Sequence, residues 1–241
     1  MKLLLIRHGD PDYVVDSLTE KGHREAALLA ERIAPMDIKA YYMSPLGRAR
    51  KTAEYTLNKA ARTAEVLDWA REFDVLIDDG KGGKRIAWDM LPQNWTKIPE
   101  YYDENRWLDV PVMKDAQMRS GIVKVYDGLD ALLERHGYKR EGRFYRAVRP
   151  NEDTIALFCH FGVTSVMLSH LLGVSPMVLW HGMIAAPTSV TTLVTEERRE
   201  GIAAFRMTAF GDISHLYKEN EPPAFAGRFC EMFSNQEQRH D

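Results

Sequence analysis

Cysteine is scarce: the 241-residue chain has two, Cys159 and Cys230, which argues against the disulfide framework that holds many small secreted domains together. Long apolar runs are missing as well, and no stretch approaches the ~20 residues needed to span a bilayer. The apolar run at the start, Leu3 to Ile6, is cut off by Arg7 and His8. It has neither the length nor the small-residue cleavage site of a secretory leader, so the expected location is cytoplasmic. Charge of one sign is also lacking. Thirty-two Lys and Arg stand against 35 Asp and Glu, a net of -3, which leaves no broad basic field for nucleic acid or a membrane surface. Any anion must then be held by a local cluster. There is no internal repeat of solenoid type.

What is present suits one large α/β domain, with 45% hydrophobic residues to fill its core. Leu3 to Ile6 predicts a strand buried on both faces in a parallel sheet, delivering Arg7, His8 and Gly9 at its end. Thr19 can cap a helix whose apolar positions Ala26, Ala27, Leu29, Ala30 and Ile33 recur at helical spacing, ending at Pro35. Asp37 to Met43 reads as a second strand. Ser44 and Pro45 then form an N-cap and first-turn pair for a helix carrying Arg48, Arg50 and Lys51. Cations are disfavoured at a helix N-terminus, so Arg48 and Arg50 there signal either solvated charge or an awaited anion.

Periodicity is lost over about 75–115, which reads as an insertion: glycines gather at 80, 82 and 83 among Trp88, Trp95, Tyr101, Tyr102 and Trp107. These aromatics fit either a satellite core or a lid over a substrate's organic part. Met118, Ile122, Val125, Tyr126, Leu129, Leu132 and Leu133 restore a helical stripe. Gly137 and a basic loop from Lys139 to Arg149 follow. Thr154 to Cys159 repeats the first strand's design and ends in His160, Phe161 and Gly162, before a helix closed by Gly173. Ser189 to Val194 and Ala203 to Met207 supply two more strands. A polar tail from about 219, with Pro222 and Pro223, reads as a surface extension. The expected fold is a three-layer α/β/α sandwich with a mostly parallel central sheet.

Open α/β sheets bind ligands beyond the carboxyl ends of their strands. His8 and His160 both fall on that edge, Arg7 adjoins the first, and Arg48 follows another strand. Two imidazoles and two guanidiniums around one point would cradle a dianion. Each residue also has a plainer reading. His8 alone would pass for a satisfied histidine at a strand end. Cys159 and His160 suggest a metal pair, but neighbours on a strand face opposite ways and no third ligand has suitable spacing, so no metal is expected. His23, His136, His170, His181 and His215 receive no role, Arg50 and Lys51 fit a solvated helix face, and Cys159 fits a small core residue.

Taken together, Arg7-His8-Gly9, Leu18-Thr19 with Gly22 and Ala26, Ser44-Pro45-Leu46 with Arg48-Ala49 and Thr52-Ala53, His160 with Gly162, and Gly211-Asp212 through His215-Leu216 resemble the ordered motifs of the histidine phosphatase, or phosphoglycerate-mutase-like, superfamily. The resemblance spans most of the chain except the insertion and tail. It implies a phosphoglycerate-mutase-like fold and hydrolysis of small phosphate esters through a phosphohistidine on His8, with Arg7, Arg48 and His160 on the phosphoryl group and no metal or cofactor. The family's proton donor follows the second arginine motif in a leucine-x-glutamate context. Ala70-Arg71-Glu72 occupies that place here, making Glu72 the candidate and Glu65 and Asp68 its competitors. The first loop departs from the pattern: Asp10-Pro11 follows the signature, and no asparagine occurs between Gly9 and Thr19, so one family phosphate contact is replaced or absent. A phosphomutase is the first alternative and a non-catalytic phospho-ligand-binding module the second. A homo-oligomer is left open.

Overall fold

The computed structural model describes residues 1–114 and 117–240, so the expected end of the insertion at Asp115 lies outside the described residues. Chain order runs β1 (Lys2–Arg7), α1 (Glu20–Ile33), β2 (Ala40–Met43), α2 (Gly47–Ala60) and β3 (Ala64–Val66) before the insertion. After it come α3 (Met118–Arg135), β4 (Tyr138–Glu141), β5 (Phe144–Ala147), β6 (Thr154–Cys159), α4 (Phe161–Leu172), α5 (Pro176–Gly182), β7 (Val190–Arg199), β8 (Ile202–Asp212) and α6 (Ser214–Lys218). The strands form one eight-stranded sheet in the order β3-β2-β6-β1-β7-β8-β5-β4. From β3 to β1 neighbouring strands are parallel, and from β1 to β4 they are antiparallel.

The period of two along the central strands builds the layers. Leu3, Leu5, Ile155 and Leu157 face one way and pack with Leu129, Val163 and Met167 of α3 and α4. Leu4, Ile6, Ala156 and Phe158 face the other way against Leu29, Ile33, Ala53 and Leu57 of α1 and α2. Continuous apolar runs are needed because both faces are covered, each buried Leu or Ile contributing about 1.5–3 kcal/mol. Thr19 caps α1 by accepting from the Gly22 amide, and Gly173 closes α4 in the left-handed conformation, both as the sequence predicts. No helix among the described residues is long and apolar enough to cross a membrane.

Three local expectations are corrected. The segment read as a basic loop is the β4-β5 hairpin: Tyr138, Tyr145 and Ala147 turn inward while charged neighbours face out, as edge strands that resist aggregation commonly do. Ser44 does not cap α2, which starts at Gly47 without a side-chain cap of its own. The tail is no free surface extension. Ala224 is buried and donates its amide to Glu25 Oε1 at 2.9 Å, while the Asp10 amide donates to Glu25 Oε2 at 3.0 Å. One carboxylate thus fastens the tail to the loop after β1.

The segment read as an insertion opens with a short antiparallel pair, Leu76–Asp78 with Lys84–Ile86. Its aromatics divide between the two readings. Tyr101 and Trp107 are fully buried in the larger core and Tyr102 is half exposed. Trp88 and Trp95 are partly buried and face a cavity.

Candidate active site

Strand register brings the two histidines together. Arg7 of β1 pairs with Cys159 of β6, and the His8 amide donates to the Cys159 carbonyl at 3.1 Å. His8 and His160, each one residue past a paired strand end, therefore leave the sheet side by side with ring centroids 5.1 Å apart. Both are buried, at 2% and 0% exposure. His8 Nδ1 lies 2.7 Å from the Gly9 carbonyl oxygen. That oxygen can only accept, so Nδ1 carries the proton and Nε2 keeps its lone pair.

Burial, then the positive charges of Arg7 and Arg48, push the His8 pKa well below the ordinary 6.5. An NMR titration is accordingly expected to show the His8 ring neutral throughout the region around pH 6.5. An inflection at that pH would overturn the assignment. Because the folded-state pKa is depressed, this contribution to stability is present above about pH 6.5 and is lost as pH falls below it.

His160 Nε2 lies 2.7 Å from Ser44 Oγ. Ser44 Oγ also accepts the Leu46 amide at 3.3 Å, and its one hydroxyl proton can be given to Nε2, an arrangement in which the ring proton sits on Nδ1. His160 Nδ1 is buried and has no partner among the described residues, and the same holds for Arg7 Nε and Arg48 Nε. Buried polar nitrogens are ordinarily satisfied. Three unsatisfied ones on these particular side chains suit an anion with several acceptor oxygens.

Arg7 Nη1 donates to the Ala185 carbonyl and, at 3.2 Å, to that of Ala226 in the tail. Gly227, with φ +84°, lies so close that a Cβ there would sit 2.9 Å from Arg7 Nη2, which a side chain would not tolerate. Arg48 Nη1 donates to Asp16 Oδ1 at 2.6 Å, and the Gly47 amide donates to Asp16 Oδ2 at 2.6 Å. Asp16 therefore supplies the acceptor at the start of α2 that Ser44 does not. Burial alone would raise its pKa, but the Gly47 amide and Arg48 outweigh it and hold the carboxyl below the usual range. In the asparagine-less loop, the polar contact to the second arginine comes from this carboxylate.

Glu72 reaches the same place from the segment after β3. Its Oε1 accepts the Phe73 amide at 2.8 Å and the Val163 amide, in the first turn of α4, at 3.0 Å. A Cβ on Gly162 would lie 2.6 Å from that oxygen, so the glycine after Phe161 makes room for the carboxyl. Burial raises the Glu72 pKa, against the amide bonds and Arg7, which lower it. Raising favours the protonated form closer to neutral pH. Glu65 is exposed and paired with Arg135 at 2.9 Å, and Asp68 is exposed. Cys159 is buried with its thiol pushed up to about 12, chiefly by burial, and its Sγ meets Thr164 Oγ1 at 3.3 Å, away from His160's partner.

A cavity of about 620 Å³ opens onto Arg7, Arg48 and Glu72, stopping short of both histidines. Its walls come from the insertion, from α5 and the segment after it, and from the tail. Sequence reasoning missed Ser44 as a partner of His160, Asp16 as a partner of Arg48, and the tail as a wall. Ser44 and Asp16 resemble an ordinary helix cap and an ordinary loop carboxylate until folded. The glycine-containing stretch Ala224 to Arg228 was the one visible signal for the tail.

The profile of the histidine phosphatase superfamily (branch 1) matches residues 3–208, ending before the tail. A probable phosphatase of Schizosaccharomyces pombe is 27% identical over 235 residues, covering 91% of this chain and 97% of its own. Phosphoserine phosphatase 1 of Hydrogenobacter thermophilus is 27% identical over 218 residues, covering 86% and 93%. Among solved structures, a phosphoserine phosphatase mutant from Entamoeba histolytica in complex with phosphoserine superposes with a TM-score of 0.59 at 20% identity, covering 89% of this chain and 98% of that one.

Proposed function

Because the chain belongs to branch 1 of the histidine phosphatase superfamily, we propose that this phosphatase hydrolyses phosphate monoesters through a phosphohistidine on His8, using guanidiniums where other phosphoryl-transfer enzymes use metal ions. The observation that carries the reading is the His8 tautomer: Nδ1 is committed to the Gly9 carbonyl, and Nε2 is left as a neutral nucleophile beside unpartnered nitrogens of Arg7, Arg48 and His160.

In the first step His8 Nε2 attacks phosphorus and the bond to the ester oxygen breaks. Glu72 gives its proton to the departing alkoxide. Arg7, Arg48 and His160 Nδ1–H hold the non-bridging oxygens, each such donor worth about 3–4 kcal/mol in the transition state. In the second step Glu72, now a carboxylate, takes a proton from water. The water oxygen bonds to phosphorus, the phosphorus–nitrogen bond breaks, and inorganic phosphate leaves with His8 neutral again.

The test is hydrolysis of para-nitrophenyl phosphate in excess chelator, with rapid quenching to trap the phosphoenzyme. Turnover with an acid-labile, alkali-stable phosphoenzyme is expected. An acid-stable adduct, or conversion of 3-phosphoglycerate to 2-phosphoglycerate with little free phosphate, would overturn hydrolysis through His8.

A further inference from the structure

The cavity that opens onto Arg7, Arg48 and Glu72 is far larger than a compact phosphometabolite. Its volume of about 620 Å³ lies within the range that encloses a drug-sized organic molecule. Three separate parts of the chain give it an apolar wall: Trp88, Met90 and Trp95 from the insertion, Phe161 and Trp180 from helices, and Phe229 from the tail. The Trp95 ring stacks on His181 at 5.0 Å between centroids, presenting a fixed flat surface of the kind that aromatic groups pack against.

The charges around this wall are already committed. Arg239 pairs with Asp89 at 3.4 Å and Arg228 pairs with Glu231. His181 Nδ1 donates to the Met177 carbonyl at 2.8 Å while Nε2 accepts the Met90 amide at 3.2 Å. Both ring nitrogens are thus occupied in the neutral form. His240 Nε2 is engaged with the Asn235 carbonyl at 2.8 Å. Asp74 and Asp89 add negative charge to the lining. A substrate carboxylate placed beyond the phosphoryl group would lose hydration there and meet, among the residues that line the cavity, no unpaired cation besides Arg7 and Arg48.

Resting on the phosphatase reading, we propose that the substrates are phosphate monoesters of bulky, apolar, aromatic-bearing alcohols, in preference to compact carboxylate-bearing esters such as phosphoserine or phosphoglycerate. The insertion and the tail together select the organic group, and the arginines select the phosphate. The preference is one of binding and orientation, so it appears in kcat/KM.

Alkyl esters test this without confusing apolar bulk with leaving-group acidity. Phenylethyl phosphate is expected to be hydrolysed with a kcat/KM roughly 10- to 100-fold above the values for ethyl phosphate and phosphoserine. Trp95→Ala and Phe229→Ala should each lower the phenylethyl-to-ethyl ratio by about fivefold or more. Phosphoenzyme formation is followed in parallel. If phosphoserine or 3-phosphoglycerate is preferred while phosphoenzyme forms normally, the inference fails and the phosphatase reading stands. A ratio unmoved by both substitutions places the organic group outside this cavity and also overturns the inference. If no ester yields phosphoenzyme, the underlying reading fails and the inference with it.

Discussion

Replacing His8 with alanine is expected to lower kcat for para-nitrophenyl phosphate by at least about 10⁴-fold and to abolish the trapped phosphoenzyme. The size of the effect follows from the absence of a substitute. His160 is the nearest other imidazole, but its Nε2 is engaged by Ser44, and in the proposed mechanism its Nδ1 carries the proton, so it presents no lone pair. The Cys159 thiol is buried and far from ionising. Arg7 and Arg48 would still bind phosphate, which makes the result specific: substrate affinity should change little while turnover disappears. Alanine leaves the Gly9 carbonyl without its donor, a cost of about 1–3 kcal/mol, so the thermal melt should be recorded alongside. A folded variant that keeps more than a tenth of wild-type turnover would remove His8 as nucleophile.

The second large effect is expected for Glu72→Gln, and its pattern is more telling than its size. Glutamine can still accept the Phe73 and Val163 amides through its carbonyl oxygen, so the position should be held. It cannot give up or take the catalytic proton. For an alkyl ester, kcat should fall by roughly 10²–10⁴-fold, because an alkoxide leaves poorly without protonation. A para-nitrophenolate needs no such help. With that substrate the variant should release one equivalent per enzyme in a burst and then stall, accumulating phosphohistidine, because water lacks its base. Equal losses on both substrates with no accumulated phosphoenzyme would show that Glu72 only positions α4, and would return the search to another acid.

The elements that carry the proposed chemistry are the ones the sequence announces most clearly. Leu3–Ile6 and Thr154–Cys159 are unbroken apolar runs because strands covered on both faces have no polar side to show. The ligand edge of such a sheet is fixed by strand direction, so Arg7, His8 and His160 can be placed on it from the chain alone. Glu72 was legible only as one of three carboxylates. Folding separates them by environment, since Glu65 meets Arg135 in solvent while Glu72 is drawn in by two amides and the space left at Gly162. The β4-β5 hairpin was hidden because a charged edge strand resembles a loop when only its polar face is counted.

By itself, then, the sequence supplied the main parts of the proposed reaction: a candidate nucleophile, two permanent cations and a second imidazole at the ends of neighbouring parallel strands. These are local signals, written in the period of apolar residues and in the residue types at strand ends. Only the tertiary structure decided that Ser44 meets His160, that Asp16 holds Arg48, and that a tail more than two hundred residues from β1 touches Arg7 and walls the cavity. Such pairings depend on where separate elements pack, and a side chain's hydrogen-bond partner across the fold leaves no periodic trace in the chain.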